Sequence, residues 1–149
     1  MKKLLLAMAA VAMSMGSAIA ADHKANIVVV THGSDTDAFW GVVRNAVNAA
    51  AEDTGADVQY RNPSTGDLNE MAALIEAATA QNPDGLVVSI PDANILAGPI
   101  KAAIDAGIPV ISMNSGADVS KELGAVMHVG QPEYDACLLY TSDAADDTP

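Results

Sequence analysis

Phe39 and Trp40 stand side by side in a chain of 149 residues that holds five aromatic residues in all. They follow His32-Gly33-Ser34-Asp35-Thr36-Asp37-Ala38, a run of small and acidic residues after the apolar stretch Asn26–Thr31. An aromatic face packs on the apolar C–H face of a sugar, and a nearby carboxylate accepts bonds from two hydroxyls. Asp37, Phe39 and Trp40 are therefore candidate ligand-binding residues. Successive helical residues point about 100° apart, so both rings cannot face the core, and at least one is expected to face ligand. Asp37 has a second role as the N-cap of the helix that begins here, and the two roles are compatible.

Three more positions carry the same polar chemistry. Asp92, in Ser89-Ile90-Pro91-Asp92, is a candidate ligand contact and an N-cap for the following helix, a role Asn94 can share. Asn114, in Asn114-Ser115-Gly116, both donates and accepts, which suits a vicinal diol; it is also a natural turn residue. Gln131 offers the same amide chemistry.

Other chemistries lack their residues. No GxGxxG follows the first apolar run and no Walker A motif occurs, so no phosphate cradle is expected. No GxSxG elbow is present. His23, His32 and His128 have no metal-ligand spacing, and His128 reads as a core or strand-end histidine. Asp35 and Asp37 suggest a cation only through their pairing, which capping also explains. Ser34 beside His32 does not make a triad. No catalytic residues, metal or cofactor are assigned, and the chain is read as a binder rather than an enzyme.

The elements that must position these residues follow a βα rhythm. Apolar or alternating runs at Asn26–Thr31, Asp57–Arg61, Leu86–Ile90, Pro109–Met113 and Ala125–Val129 read as strands. Between them, Phe39–Thr54 carries the stripe Trp40, Val43, Val47, Ala50 and stops at Gly55. A second helix, capped by Asp67, runs through Gln81 with Leu68, Met71, Ile75 and Ala78 inward; Glu70 is expected to return a capping-box bond to Asp67. Ile95–Ala106 is a third helix, ending at Gly107. Asn114–Ser120 reads as a loop. One βα unit per strand with right-handed crossovers gives an α/β fold, a doubly wound parallel sheet with helices on both faces. Ligands of such sheets bind outside the carboxyl ends of the strands, where every candidate residue above falls.

Composition narrows the class further. Seven Lys and Arg against 19 Asp and Glu give a formal net charge of −12. Nucleic acid binders need basic surfaces, so no nucleic acid partner is expected. A single cysteine, Cys137, permits no internal disulfide. Lys2 and Lys3, the apolar run Leu4–Met13 and the small-x-small site Ala18-Ile19-Ala20 read as a secretory signal, residues 1–20, cleaved after Ala20. Ten apolar residues fall short of the roughly 20 that span a bilayer. An exported, periplasmic and monomeric protein is expected. Residues 21–136 read as one lobe. From Cys137 to Pro149 neither helical stripe nor strand alternation continues, and residues 137–149 read as a non-native tail.

The ordered motifs NIVVVTHGSDTDAFWGVVRNAV, NPDGLVVSIPDA, IKAAIDAGIPVISMNSGAD and HVGQPEYDA resemble the amino-terminal lobe of periplasmic sugar-binding proteins of ABC transporters. The likeness is to the ribose type, or type I fold, over about residues 25–136. It implies a Rossmann-like lobe, truncated here, of a two-lobed protein that closes on a monosaccharide and docks on an ABC permease in the inner membrane. Family sugar-binding positions carry over to Asp37, Phe39 and Trp40. After the fourth strand many relatives hold an acidic and a basic residue where this chain has Asn114-Ser115; a polyol, a deoxysugar or a cyclic autoinducer sugar would each fit. With one lobe, the chain is expected to bind sugar weakly or not at all and to be marginally stable. The alternatives are a periplasmic receptor for a sugar-like signal, in chemotaxis or quorum sensing, and a LacI-type effector domain. The latter would need a helix-turn-helix where the export signal stands.

Overall fold

The five runs pair into one all-parallel sheet, in the order β2-β1-β3-β4-β5, in a computed structural model that describes residues 23–132 and 134–139. The strands are β1 (Asn26–Val30), β2 (Asp57–Arg61), β3 (Gly85–Val88), β4 (Val110–Met113) and β5 (Met127–Val129). They alternate with helices α1 (Ala38–Thr54), α2 (Leu68–Thr79), α3 (Ala93–Asp105) and α4 (Ala117–Leu123). The chain steps from β1 outward to β2, then back past β1 to β3 and on to β5. With right-handed crossovers this puts α1 on one face and α2, α3 and α4 on the other, the expected doubly wound fold. The secretory segment, residues 1–20, lies outside the described residues.

Register explains why the second face holds the core. Val28, Leu86 and Val110 lie in one row across β1, β3 and β4, and Val30, Val88 and Ser112 in another. All six are buried, and they meet Met71, Ile75 and Ala78 of α2 and Leu96, Ile100 and Ala103 of α3. Each large side chain so enclosed stabilises the fold by roughly 1.5–3 kcal/mol. The opposite face is thinner. Trp40 and Val29 are buried there, but Val43 and Val47 are only half-buried and Ala50 is exposed, so the α1 stripe shallows along the helix. On the same face, Met127 and Val129 of β5 lie open.

The helix ends follow the side-chain chemistry. Asp37, Asp67 and Asp92 each adopt extended backbone and accept N–H bonds from their own first turn, as N-caps do. Gly55 closes α1 in the left-handed conformation. Glu70 departs from expectation: its carboxylate accepts from the backbone N–H and hydroxyl of Ser64, not from Asp67. The turn after β2 brings Ser64 within reach of Glu70, six residues on, and this contact takes the carboxylate in place of the capping-box bond.

Two segments differ from the sequence reading. Residues 117–123, read largely as loop, form α4 between Gly116 and Gly124, both left-handed. Asp118 in its first turn, Lys121 in its last and Gly124 at its end are the helix signals the seven-residue length obscured. Residues 134–139 are helical, so a helical turn continues through Cys137 rather than stopping before it. Residues 140–149 of the suspected tail lie outside the described residues.

Candidate functional site

At the carboxyl end of β1, Asp37 uses Oδ1 for both cap bonds, to Phe39 N–H at 2.9 Å and Trp40 N–H at 3.3 Å. Among the described residues its Oδ2 has no hydrogen-bond donor. The cap sets the start of α1 and so separates the two rings. Trp40 turns inward and is 4% exposed; Phe39 turns outward and is 56% exposed. The rings meet edge to face, with centroids 5.1 Å apart. Gly33 makes room for the indole: a Cβ there would lie 2.1 Å from Trp40 Cδ1. The exposed ring is thus Phe39, while Trp40 packs beneath its edge.

The loop carrying Asp37 is tied to the loop after β2. Asn62 Nδ2 donates to Asp35 Oδ1 at 2.9 Å, Arg44 Nη2 donates to Asn62 Oδ1 at 2.8 Å, and Ser64 O accepts from Asp35 N–H. Arg44 also lies over the Tyr60 ring, and Tyr60 Oη bonds Thr31 Oγ1 at 2.6 Å. Asp35 is therefore engaged in holding the loop rather than paired with Asp37 around a cation. Burial pushes the Tyr60 phenol above its ordinary value, against the pull of the Thr31 bond and the Arg44 charge.

Asp92 caps α3 through Oδ1, accepting from Asn94 N–H at 2.8 Å and Asn94 Nδ2 at 3.0 Å. Asn94 does share the cap, as the sequence suggested. The strand-end segments of β3 and β4 are joined where Ile90 N–H donates to Ser115 O at 3.0 Å.

Asn114 and Gln131 are brought together. They line a cavity of about 520 Å³ with Ser115, Gly116, Ala117, Asp118, Pro132 and Tyr134. Asn114 sits in the left-handed region at φ 63°, and its N–H donates to Val129 O at 2.9 Å, joining the ends of β4 and β5. It is both the turn residue and a wall of the cavity. Ser115 Oγ is buried in this wall without a protein partner, which suits a ligand hydroxyl. Among the described residues no lysine or arginine lines the cavity, and Asp118 is the one charged lining group. Asp37, Phe39, Trp40 and Asp92 do not line it; Asp37 and Asp92 cap α1 and α3, and Phe39 and Trp40 lie in the first turn of α1, at the same end of the sheet. Among the described residues, no group of three His, Cys, Asp or Glu side chains converges for a metal.

Sequence reasoning missed Ser115, Asp118 and Tyr134, whose convergence depends on α4 and the helical turn at 134–139. It also gave no role to His32. That ring is half-buried between Ser89 and Trp40, with Nδ1 2.8 Å from Ser89 Oγ and the indole centroid 4.9 Å away. Burial lowers the His32 pKa below the ordinary 6.5, and the Asp37 carboxylate partly opposes this. A histidine held neutral by folding contributes stability that is full above pH 6.5 and is lost on acidification towards its folded pKa. Urea unfolding of wild type and His32→Asn at pH 7.5 and pH 5 is expected to show wild type losing more stability on acidification. A wild-type-minus-variant difference that stays constant with pH would contradict this.

Together these features define a class: an α/β lobe whose strand-end loops enclose a cavity at the carboxyl edge of a parallel sheet. The family described as periplasmic binding protein domain matches residues 14–140, and the chain belongs to it. A carbohydrate transporter from Acidothermus cellulolyticus, solved in complex with myo-inositol, superposes with a TM-score of 0.75 at 35% identity, over 84% of this chain and 43% of that one. GanP, a glucose-galactose binding protein from Geobacillus stearothermophilus, gives 0.75 at 25% identity, over 85% and 44%. The ABC transporter periplasmic-binding protein YphF of Escherichia coli is 30% identical over 82 residues, which is 54% of this chain and 25% of that protein. The chain thus spans less than half the length of these relatives.

Proposed function

We propose that this chain is the amino-terminal lobe of a substrate-binding component of a sugar ABC importer. It captures a monosaccharide or related polyol in the periplasm, after export through the leader of residues 1–20, and the closed complex delivers it to a membrane permease. The observation that carries this reading is the cavity lined by Asn114, Ser115 and Gln131 without a cation. Such a wall offers neutral donors and acceptors, which match hydroxyls and leave a phosphate or carboxylate uncompensated. The myo-inositol bound by the Acidothermus protein and the sugars in the name of GanP are ligands of this kind. Phe39 adds an apolar surface for the C–H face, and Asp37 Oδ2 an acceptor. The family and the relatives named above are binding and transport proteins, which supports capture without turnover.

One lobe supplies one wall, so binding by this chain alone is expected to be weak, about 1 mM, or about −4 kcal/mol. Titration with myo-inositol, D-glucose and D-galactose, followed by backbone amide NMR, tests the reading. The amides of Asn114, Ser115 and Gln131 are expected to shift with at least one of these sugars and not with glucose 6-phosphate. A response to the phosphate alone, or no response to any of the panel at about 50-fold excess of ligand over protein, would count against sugar capture.

A further inference from the structure

We propose that the cavity at the ends of β4 and β5 selects a cationic polyol, an amino sugar whose ammonium group is held by the Asp118 carboxylate and the Tyr134 ring. The assignment rests on the capture function proposed above and narrows its substrate class. The composition of the wall is its basis. Among the described residues, Asp118 is the one charged lining group and Tyr134 the one aromatic ring. Both attract an ammonium group, the first through its charge and the second through its π face. Asn114 and Gln131 offer amides to the hydroxyls, and Ser115 offers an Oγ that is buried without a protein partner. Pro132 leaves apolar surface for the C–H groups of a sugar ring. A wall built for a neutral polyol needs no carboxylate, and one built for an anion needs a cation.

The Asp118 carboxylate is also uncommitted. Asp37 and Asp92 spend an oxygen on capping α1 and α3, and Asp35 ties two loops together. Asp118 caps nothing: Gly116 holds the N-cap position of α4 and supplies no side-chain bond. Lys121 lies three residues further along α4, at a spacing where helical neighbours can pair. Yet among the described residues the ion pairs are His23 with Asp84 and Lys101 with Asp105, and neither involves Asp118. The carboxylate thus meets the cavity without a protein cation to neutralise it. A ligand ammonium would supply that charge, whereas a phosphate or carboxylate would meet repulsion. Asp118 is exposed, so solvent screens the attraction and the selectivity it confers is modest. The chain as a whole, at a net charge of −12, also draws cations, and the test must separate this field from the site.

Amide NMR titrations of the full chain with D-glucose, D-glucosamine and N-acetyl-D-glucosamine make the test, at about pH 6, below the range in which an α-amino group loses its proton. The acetylated sugar keeps the nitrogen and loses the charge. D-Glucosamine is expected to bind roughly fivefold more tightly than D-glucose, and N-acetyl-D-glucosamine no more tightly than D-glucose. Asp118→Asn should bring D-glucosamine to the affinity of D-glucose. Glu122→Gln removes the same charge from α4 outside the cavity wall and should leave the preference intact. If the Asn114, Ser115 and Gln131 amides respond equally to D-glucose and D-glucosamine, the amino-sugar assignment fails and sugar capture stands. A preference shared by the acetylated sugar, surviving Asp118→Asn or abolished by Glu122→Gln also overturns the assignment, since the Asp118 charge is then not its source. If these amides respond to none of the three sugars, capture by this wall fails and the assignment fails with it. Should Asp118→Asn not fold, Tyr134→Leu decides: loss of the exposed ring is expected to reduce the preference about twofold, and an unchanged preference overturns the assignment.

Discussion

Replacing Trp40 with alanine is expected to remove about 3–5 kcal/mol of stability, whereas replacing Phe39 costs about 1 kcal/mol or less. The neighbours differ because only one is enclosed. Trp40 fills the space above Gly33 and is 4% exposed, so its loss leaves a cavity on the thinner face of the sheet. Phe39 has little more than an edge contact with that indole to lose. Binding should show the opposite order among folded proteins, with Phe39→Ala weakening sugar affinity roughly tenfold through loss of the stacking surface. Urea unfolding and the sugar titration measure the two effects separately. Greater destabilisation by Phe39→Ala than by Trp40→Ala would reverse the assignment of the rings.

The second large effect is expected at Gly116, where alanine should cost roughly 3 kcal/mol, combining a left-handed backbone with overpacking. Gly116 has φ 96°, and a Cβ built there lies 2.5 Å from Ile90 Cβ and 3.1 Å from Ile90 O. Ile90 is buried and its N–H is bonded to Ser115 O, so it cannot yield without moving the cavity wall. Gly116→Ala should therefore lower the melting temperature and weaken sugar binding together. Gly41, in the interior of α1, has nothing within 4 Å of its Cβ position. Alanine there is expected to leave binding unchanged and to add up to about 1 kcal/mol through helix propensity. Thermal melts and titrations of the two variants make the comparison; equal stability would contradict it.

The fold was legible because its signals are local and repeated. The β-branched runs, the Asp caps and the 3.6-residue stripes of α2 and α3 recur once per βα unit, and crossover handedness orders the faces. The stripe of α1 was a poorer guide: it continues to Ala50, but the β1–β2 side of the sheet encloses only Trp40 fully. The site was legible in part. Asp37 and Asp92 announced themselves as caps, and Asn114 and Gln131 as amides at strand ends. Ser115 and Tyr134 did not, because their meeting depends on a seven-residue helix and a turn beyond β5. His32 was passed over for want of a local partner; its partner, Ser89, is 57 residues away.

The sequence by itself determined the strand and helix order, the end of the sheet where ligand chemistry gathers, and the uncharged character of the Asn114-Ser115 wall. These follow from residue type and short-range spacing, to which backbone sterics and hydrogen bonding respond directly. Only the tertiary structure decided which ring faces out, where Glu70 sends its carboxylate, and which residue the His32 ring meets. Each depends on how the chain turns in space: Trp40 closes over Gly33, the turn after β2 swings Ser64 to Glu70, and His32 meets Ser89, 57 residues away. Sequence spacing carries no distance between strands that pair out of order, and β1 meets β3 only once the sheet is built.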